Sequence, residues 1–259
     1  MARIWLIGGT QESASLAVLL ANAQIPCTVS VTSESARSLY PCCPTLQVWV
    51  GRLPVEQLDE FLCLQQIVAV VDASHPFAVE ISRGAIAACQ QLQIPYLRYE
   101  RPILEETGEQ GDKGTREIYI NSFDTLVNGN YLYNQRVLLA VGYRLLHLFL
   151  PWQQQATLFA RLLPSVTALE AAFQAGFTPD RVICLRPPIT IDLEMALWRQ
   201  WSISLVVTKA SGTAGGEDVK RIVAAELGIP LIVISRPKMS YPQQTSDLLV
   251  ALEFCRQYI

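Results

Sequence analysis

The chain has 259 residues, of which 51% are hydrophobic and 17% charged, with a formal net charge of -3 at pH 7. This composition suits a large buried core and excludes a disordered or fibrous chain, while the acidic balance offers no global field for nucleic acid. The seven cysteines are scattered and odd in number, so they read as small apolar groups of a reducing cytosol rather than a disulfide framework.

Met1-Ala2-Arg3-Ile4-Trp5 enters a strand at once, without an apolar signal region, so a cytoplasmic protein is expected. Arg3 to Ile7 is a short apolar strand, and Gly8-Gly9-Thr10 turns it into a helix with Leu16, Leu19, Leu20 and Ala23 on one face. Ile25-Pro26 stops that helix and Cys27 to Thr32 is the next strand. Residues 53–65 read as a helix, 67–72 as a buried strand and 77–92 as a helix with Phe77, Ile81, Ala85, Ala88 and Leu92 on one face. Ile94-Pro95 then opens a further strand, and the first domain is nearly complete by Pro102.

Residues 105–116 lack periodicity and read as an exposed loop. After residues 122–130, Arg136 to Val141 is a strand, Gly142 turns it into a run over 143–150, and strands follow at 156–162, 181–185, 203–208 and 231–235. Helices near 165–175, 192–201, 215–227 and 245–257 separate or follow them. The most apolar stretch, Val137 to Trp152, is interrupted by Arg144 and His147 and is too short for a membrane span.

Two segments echo each other. Val70 to Ser74, a helix and Ile94 to Pro102 match Val207 to Ser211, a helix and Ile229 to Pro237, with Ile-Pro and Arg-Pro in the same places. The expected fold is α/β: two Rossmann-like three-layer domains with mainly parallel sheets and a cleft between them, an N-terminal dinucleotide-binding domain over 1–130 and a second domain over 131–259. Ligands in such sheets bind outside the carboxyl ends of the strands, where the polar residues of this chain collect.

Gly8, Gly9 and Thr10 lie at the first strand-to-helix turn, where free amides and the helix dipole favour a phosphate, although the order is not G-x-G-x-x-G. A tight turn that only needs glycine backbone angles explains the motif equally well. Ser33 and Arg37, at the end of the second strand, suit a 2′-phosphate and hence NADPH, while Glu34 would suit the bare ribose of NADH. Asp72, Ser74 and His75 stand at the rim of the 67–72 strand, with helix capping as the competing reading for Ser74 and His75. Neither of the two histidines has a partner at metal-ligand spacing, so no metal site is expected.

In the second half, Lys209 is placed to hold a carboxylate or donate a proton, followed by Ser211 and Gly212; the order is not that of a P-loop. Arg144, with Arg161, Arg186 and Arg236, is a further candidate for anion contact. Two rival functions fit a two-domain α/β chain: a nucleotide-sugar or nucleotidyl transferase, and a non-catalytic dinucleotide sensor.

Gly8 to Glu12, Asp72-Ala73-Ser74-His75-Pro76-Phe77-Ala78, Pro95 to Pro102 and Lys209 to Gly212 together resemble the precorrin-6A reductase family of cobalamin synthesis. Ser74 stands where that family usually has Thr, and Ala140-Val141-Gly142 replaces a hydroxyl-bearing Thr-x-Gly. The resemblance implies an NAD(P)H-dependent reductase that saturates one double bond of a corrin precursor, a macrocycle with many acetate and propionate arms. Together with the strand-end reading that supplies Ser33, Arg37 and Arg144, it points to Gly8, Gly9, Thr10, Ser33, Arg37, Asp72, Ser74 and His75 for the cofactor, to Arg98, Arg101, Arg144 and Gly212 for the substrate, and to Lys209 and Ser211 beside the reacting edge. The expected partner is this small corrinoid alone, with no nucleic acid or membrane, and the expected assembly is a monomer or weak homodimer.

Overall fold

The computed structural model of the protein describes residues 1–104 and 117–259, so the expected loop over 105–116 lies outside the described residues. The chain divides into two compact units, one of Met1–Pro102 with Lys238–Ile259 and the other of Ile103–Pro237.

The first unit runs β1 (Arg3–Ile7), α1 (Gln11–Asn22), β2 (Cys27–Val31), α2 (Glu34–Arg37), β3 (Leu46–Val50), α3 (Leu58–Leu64), β4 (Ile67–Asp72), α4 (Val79–Leu92) and β5 (Tyr96–Tyr99). The second holds β6 (Glu117–Ile120), α5 (Phe123–Asn128), β7 (Arg136–Ala140), a 3-10 run (Tyr143–Gln154), β8 (Thr157–Leu162), α6 (Val166–Gln174), β9 (Val182–Cys184), α7 (Ile191–Gln200), β10 (Leu205–Lys209), α8 (Glu217–Leu227) and β11 (Leu231–Ile234). The chain then returns to the first unit with β12 (Gln244–Thr245) and α9 (Leu248–Arg256).

Each unit is built on a six-stranded sheet whose described pairings are all parallel: β12-β5-β4-β1-β2-β3 in the first, β6-β11-β10-β7-β8-β9 in the second. Numbered within its own unit, each has the doubly wound order 3-2-1-4-5 with a sixth strand beside the fifth. That sixth strand is not supplied by the local chain. β6 follows β5 in sequence but pairs with β11, and β12 follows β11 but pairs with β5.

The expected division at residue 130 is therefore corrected. Segment 117–130 belongs to the second sheet because Leu231↔Glu117 through Ile234↔Ile120 are paired, and the last segment belongs to the first because α9 lays Ala251, Leu252, Phe254 and Cys255 into the core with Leu16 and Leu20. Parallel pairing is indifferent to sequence distance, so an edge strand gives no local sign of which sheet it completes.

The three helix-to-strand junctions share one mechanism. Gln24, Gln93 and Gly228 take the left-handed conformation (φ 56°, 56° and 65°). The next residue, Ile25, Ile94 or Ile229, returns its N–H to the carbonyl of Leu20, Cys89 or Ala224 at 2.9–3.0 Å. This is the Schellman closure, which satisfies an orphan carbonyl just before proline starts the extended segment. β1, β4 and β10 are buried along nearly their whole length and β7 through its middle three residues, as strands covered on both faces must be.

Two expectations shift: helix 53–65 begins only at Leu58, preceded by a 3-10 turn at Val55–Gln57, and the 143–150 run is 3-10 and continues to Gln154 past Pro151. The structure adds β3, β6, β12 and the single turn α2. Among the described residues no helix is long and apolar enough to cross a membrane, and no group of three His, Cys, Asp or Glu could hold a metal ion. All seven cysteines are free thiols.

Candidate active site

In a doubly wound sheet the ligand crevice opens where strand order reverses, between the first and fourth strands. In the first unit that point lies between β1 and β4, and the turn after each strand is tied to the other. Thr10 caps α1, accepting from Ser13 N–H at 3.1 Å, and donates its hydroxyl to the carbonyl of Ala73 at 2.8 Å. Both bonds are inside the fold, so the Thr10 hydroxyl holds the two turns together and is not itself presented to a ligand.

The two glycines have different reasons to be glycine. A Cβ on Gly8 would stand 2.3 Å from Tyr40 Oη and 2.8 Å from Val29 Cγ1. Gly9 has nothing within 4 Å of such a position, but its φ of +97° is one that L side chains rarely adopt. Gly8→Ala is accordingly expected to cost about 1–3 kcal/mol by overpacking, read as a fall in melting temperature. Retention of the wild-type melting temperature would mean that Tyr40 moves away at little cost.

Beyond Ala73 the chain makes a compact polar knot. Asp72, with no exposed surface, accepts from Ser74 N–H (3.0 Å) and Arg98 Nη1 (2.9 Å) on Oδ1, and from Ser82 Oγ (2.5 Å) and Tyr96 Oη (2.7 Å) on Oδ2. Arg98, 1% exposed, also reaches Ser74 Oγ (3.2 Å) and Glu100 Oε2 (2.8 Å), with its guanidinium 5.4 Å from the centre of the Tyr241 ring. Burial, then the adjacent Asp72 charge, pushes the Tyr96 phenol far up, so it stays a neutral donor to the carboxylate.

This geometry engages several residues that read as ligand contacts within the fold itself. Asp72 and Arg98 form a buried ion pair at 2.9 Å. Arg101 is held by Glu12 of α1 at 2.6 and 2.8 Å, a bidentate pair that cancels the charge meant for a substrate carboxylate. Ser74 is nearly buried with its hydroxyl accepting from Arg98. His75 is half-buried, and its Nδ1 accepts from Phe77 N–H at 3.2 Å, so a neutral ring carries its proton on Nε2. Ser33 and Arg37 remain exposed, Arg37 lying 3.9 Å from Glu34.

The second unit repeats the arrangement between β7 and β10. Gly142, at φ +78° with open space around it, ends the β7 turn, and Arg144 is exposed just beyond. Lys209, the last residue of β10, is half-buried with its Nζ 5.5 Å from the centre of the Phe123 ring. Burial, then the Arg144 charge, pulls the Lys209 ammonium down to about 8. Lys209 and Arg144 thus form a cationic pair on adjacent strand ends.

The glycine loop after Lys209 is anchored from below. Lys220, 1% exposed, donates to the carbonyls of Gly215 (2.9 Å) and Gly216 (2.7 Å), and Glu217 accepts the Gly212 N–H at 2.8 Å. Burial, then Arg161, lowers the Lys220 ammonium to about 7, against the pull of Glu194, Glu217 and Asp218. The Gly212 amide is therefore engaged within the loop, and Ser211, 6% exposed, packs so close that a Cβ on Gly215 would meet its Oγ at 1.9 Å. Both residues are thus held in the loop's framework. Arg161 pairs with Glu194 inside the unit, and Arg236 Nε donates to Ala210 O at 2.8 Å.

Sequence reasoning missed Tyr40, Ser82, Glu194, Glu217 and Lys220. Only Ser82 left a sign, as a polar residue on the buried stripe of α4.

The fold defines a two-unit doubly wound α/β protein with a glycine turn at one switch point and Lys209 and Arg144 at the other. Residues 3–256 match the model of the family described as precorrin-6x reductase CbiJ/CobK, and the chain belongs to that family. It is 45% identical over 262 residues to the cobalt-precorrin-6A reductase of Synechocystis sp., covering all of this chain and 98% of the relative. It is 32% identical to the cobalt-precorrin-6A reductase of Priestia megaterium, over 92% of each chain. The solved structure of a CobK precorrin-6A reductase superposes with a TM-score of 0.81 at 27% identity, covering 100% of this chain and 98% of that one. The protein is thus an oxidoreductase acting on a ring double bond, and the transferase and sensor readings are not supported.

Proposed function

We propose that the protein reduces precorrin-6A, or its cobalt-bearing form, by hydride transfer from NADPH. The first unit holds the dinucleotide and the second holds the acidic macrocycle. The Gly9 turn fits a pyrophosphate because its outer face is open and the Gln11 and Glu12 amides that open α1 precede its first intrahelical bond. Ser33 and Arg37 fit a 2′-phosphate because both are exposed at the end of β2, where such folds read the adenosine ribose. When bound, the nicotinamide supplies the hydride that saturates the ring bond.

The chain's own residues supply position and charge. His75 and Ser74 form the β4 turn that borders the glycine turn through the Thr10–Ala73 bond. Lys209 and Arg144 offer carboxylate-binding charge in a protein whose net charge is negative. With its ammonium lowered to about 8, Lys209 is also suited to deliver the proton that must follow the hydride to the conjugated ring.

The observation that carries this division of labour is the contrast between the two switch points: an open glycine turn in one unit and a cation pair in the other. Loss of nicotinamide absorbance on mixing purified protein, NADPH and the macrocycle is the expected result. No substrate-dependent oxidation of either NADPH or NADH would overturn it.

A further inference from the structure

The Tyr40 hydroxyl sits inside the glycine turn. It accepts the Gly9 N–H at 2.7 Å and lies 2.7 Å from Ser13 Oγ. Ser13 Oγ in turn donates to Thr10 O at 2.7 Å and accepts Thr10 N–H at 3.0 Å, so one orientation satisfies the chain: Gly9 N–H to Tyr40, Tyr40 O–H to Ser13, Ser13 O–H to the Thr10 carbonyl. The ring is 9% exposed, and burial is the main cause that pushes its phenol up, so the hydroxyl keeps its proton and stays in this relay.

Tyr40 does not come from the glycine turn. It ends the segment after β2, and its own N–H is bonded to the carbonyl of Arg37 at 3.1 Å, while Leu39 N–H is bonded to Ala36 O at 3.2 Å. One residue therefore joins the turn that would meet a pyrophosphate to the α2 turn whose Arg37 would meet a 2′-phosphate. Gly9 N–H is spent on Tyr40, which fixes the peptide plane of the turn before any ligand arrives and leaves the first amides of α1 to meet a pyrophosphate.

We propose that Tyr40 is a positioning residue that couples the glycine turn to the Ser33–Arg37 turn and so sets the preference for NADPH over NADH. The inference rests on the proposed dinucleotide site of the first unit. Preorganisation of both ends at once favours a ligand that engages both, and a ligand without the 2′-phosphate gains only one.

The test is titration of the full-length protein with NADPH and with NADH, followed by nicotinamide fluorescence, for wild type, Tyr40→Phe, Ser13→Ala and Arg37→Ala. Tyr40→Phe is expected to weaken NADPH binding about five- to tenfold and NADH binding less than twofold, so that selectivity falls, in a protein that still unfolds cooperatively. Ser13→Ala, which removes the hydroxyl's acceptor without touching the Arg37 segment, is expected to lower selectivity in the same direction by a smaller factor. If Arg37→Ala lowers selectivity while Tyr40→Phe and Ser13→Ala leave it unchanged, the coupling is refuted and the dinucleotide site stands. If wild type binds both dinucleotides equally, or neither, the cofactor reading itself falls and the inference with it.

Discussion

Arg98→Ala is expected to destabilise the first unit by about 3–5 kcal/mol, the range for a buried ion pair that loses one partner. Asp72 would remain with no exposed surface and only neutral donors, Ser74 N–H, Ser82 and Tyr96, to face its charge. Asp72→Ala should cost less, because Arg98 keeps Glu100 Oε2 at 2.8 Å as a carboxylate partner. The double variant removes both charges at once, so its cost should fall well short of the sum, which is the signature of direct coupling. A drop in melting temperature on the order of 10–20 °C for Arg98→Ala, and a smaller one for Asp72→Ala, is the expected readout. Strictly additive costs would show that the two side chains do not interact in solution.

The functional consequence of that knot is indirect. Arg98 bonds Ser74, and Asp72 bonds the Ser74 amide, so the turn that carries His75 is fixed by side chains that never reach the surface. Weaker dinucleotide binding by the Arg98 variant would thus reflect a loosened turn, not a lost contact. The same logic separates Arg101 from Arg37: the first is bonded twice to Glu12, the second is exposed with a 3.9 Å contact to Glu34.

The doubly wound architecture was legible because its signals are local. Continuous apolar runs such as 67–71 and 205–207 mark buried parallel strands, and Ile-Pro at three helix ends marks the turn back toward the sheet. The exchange of sixth strands was not legible. Gln244–Thr245 is two polar residues long, and nothing in its sequence distinguishes pairing with β5 from pairing with β11. For the site, strand order and chain chemistry placed Gly8, Gly9, Thr10, His75, Lys209 and Arg144 at carboxyl strand ends. What composition could not reveal was which charges are neutralised inside: Asp72, Arg98 and Arg101 look like ligand contacts in sequence because their partners, Glu100 and Glu12 among them, declare themselves only in three dimensions. Tyr40 was invisible for the same reason, its role depending on a contact across 31 positions of chain.

Lys209→Ala should lower kcat on the order of 10²–10⁴-fold, the usual contribution of a positioned proton donor, while leaving NADPH binding to the first unit nearly unchanged. Two roles are open to this ammonium, holding a macrocycle carboxylate and delivering the proton, and Lys209→Arg separates them. Arginine keeps the charge and the reach but does not release a proton in the working range. A purely electrostatic role predicts that the arginine variant retains most activity and loses the alkaline decline of the wild type. A proton-delivery role predicts that Lys209→Arg is nearly as slow as Lys209→Ala. The sign of the pH dependence follows from the same group. Burial and Arg144 lower the ammonium to about 8, so it is charged below that pH and is lost as pH rises through it, and kcat of the wild type should fall along that limb. Arg144→Gln removes the second of these causes, so the alkaline limb should move to higher pH. A limb that stays where it was in Arg144→Gln would show that Lys209 is not the titrating group, and wild-type turnover in Lys209→Ala would remove it from the site altogether.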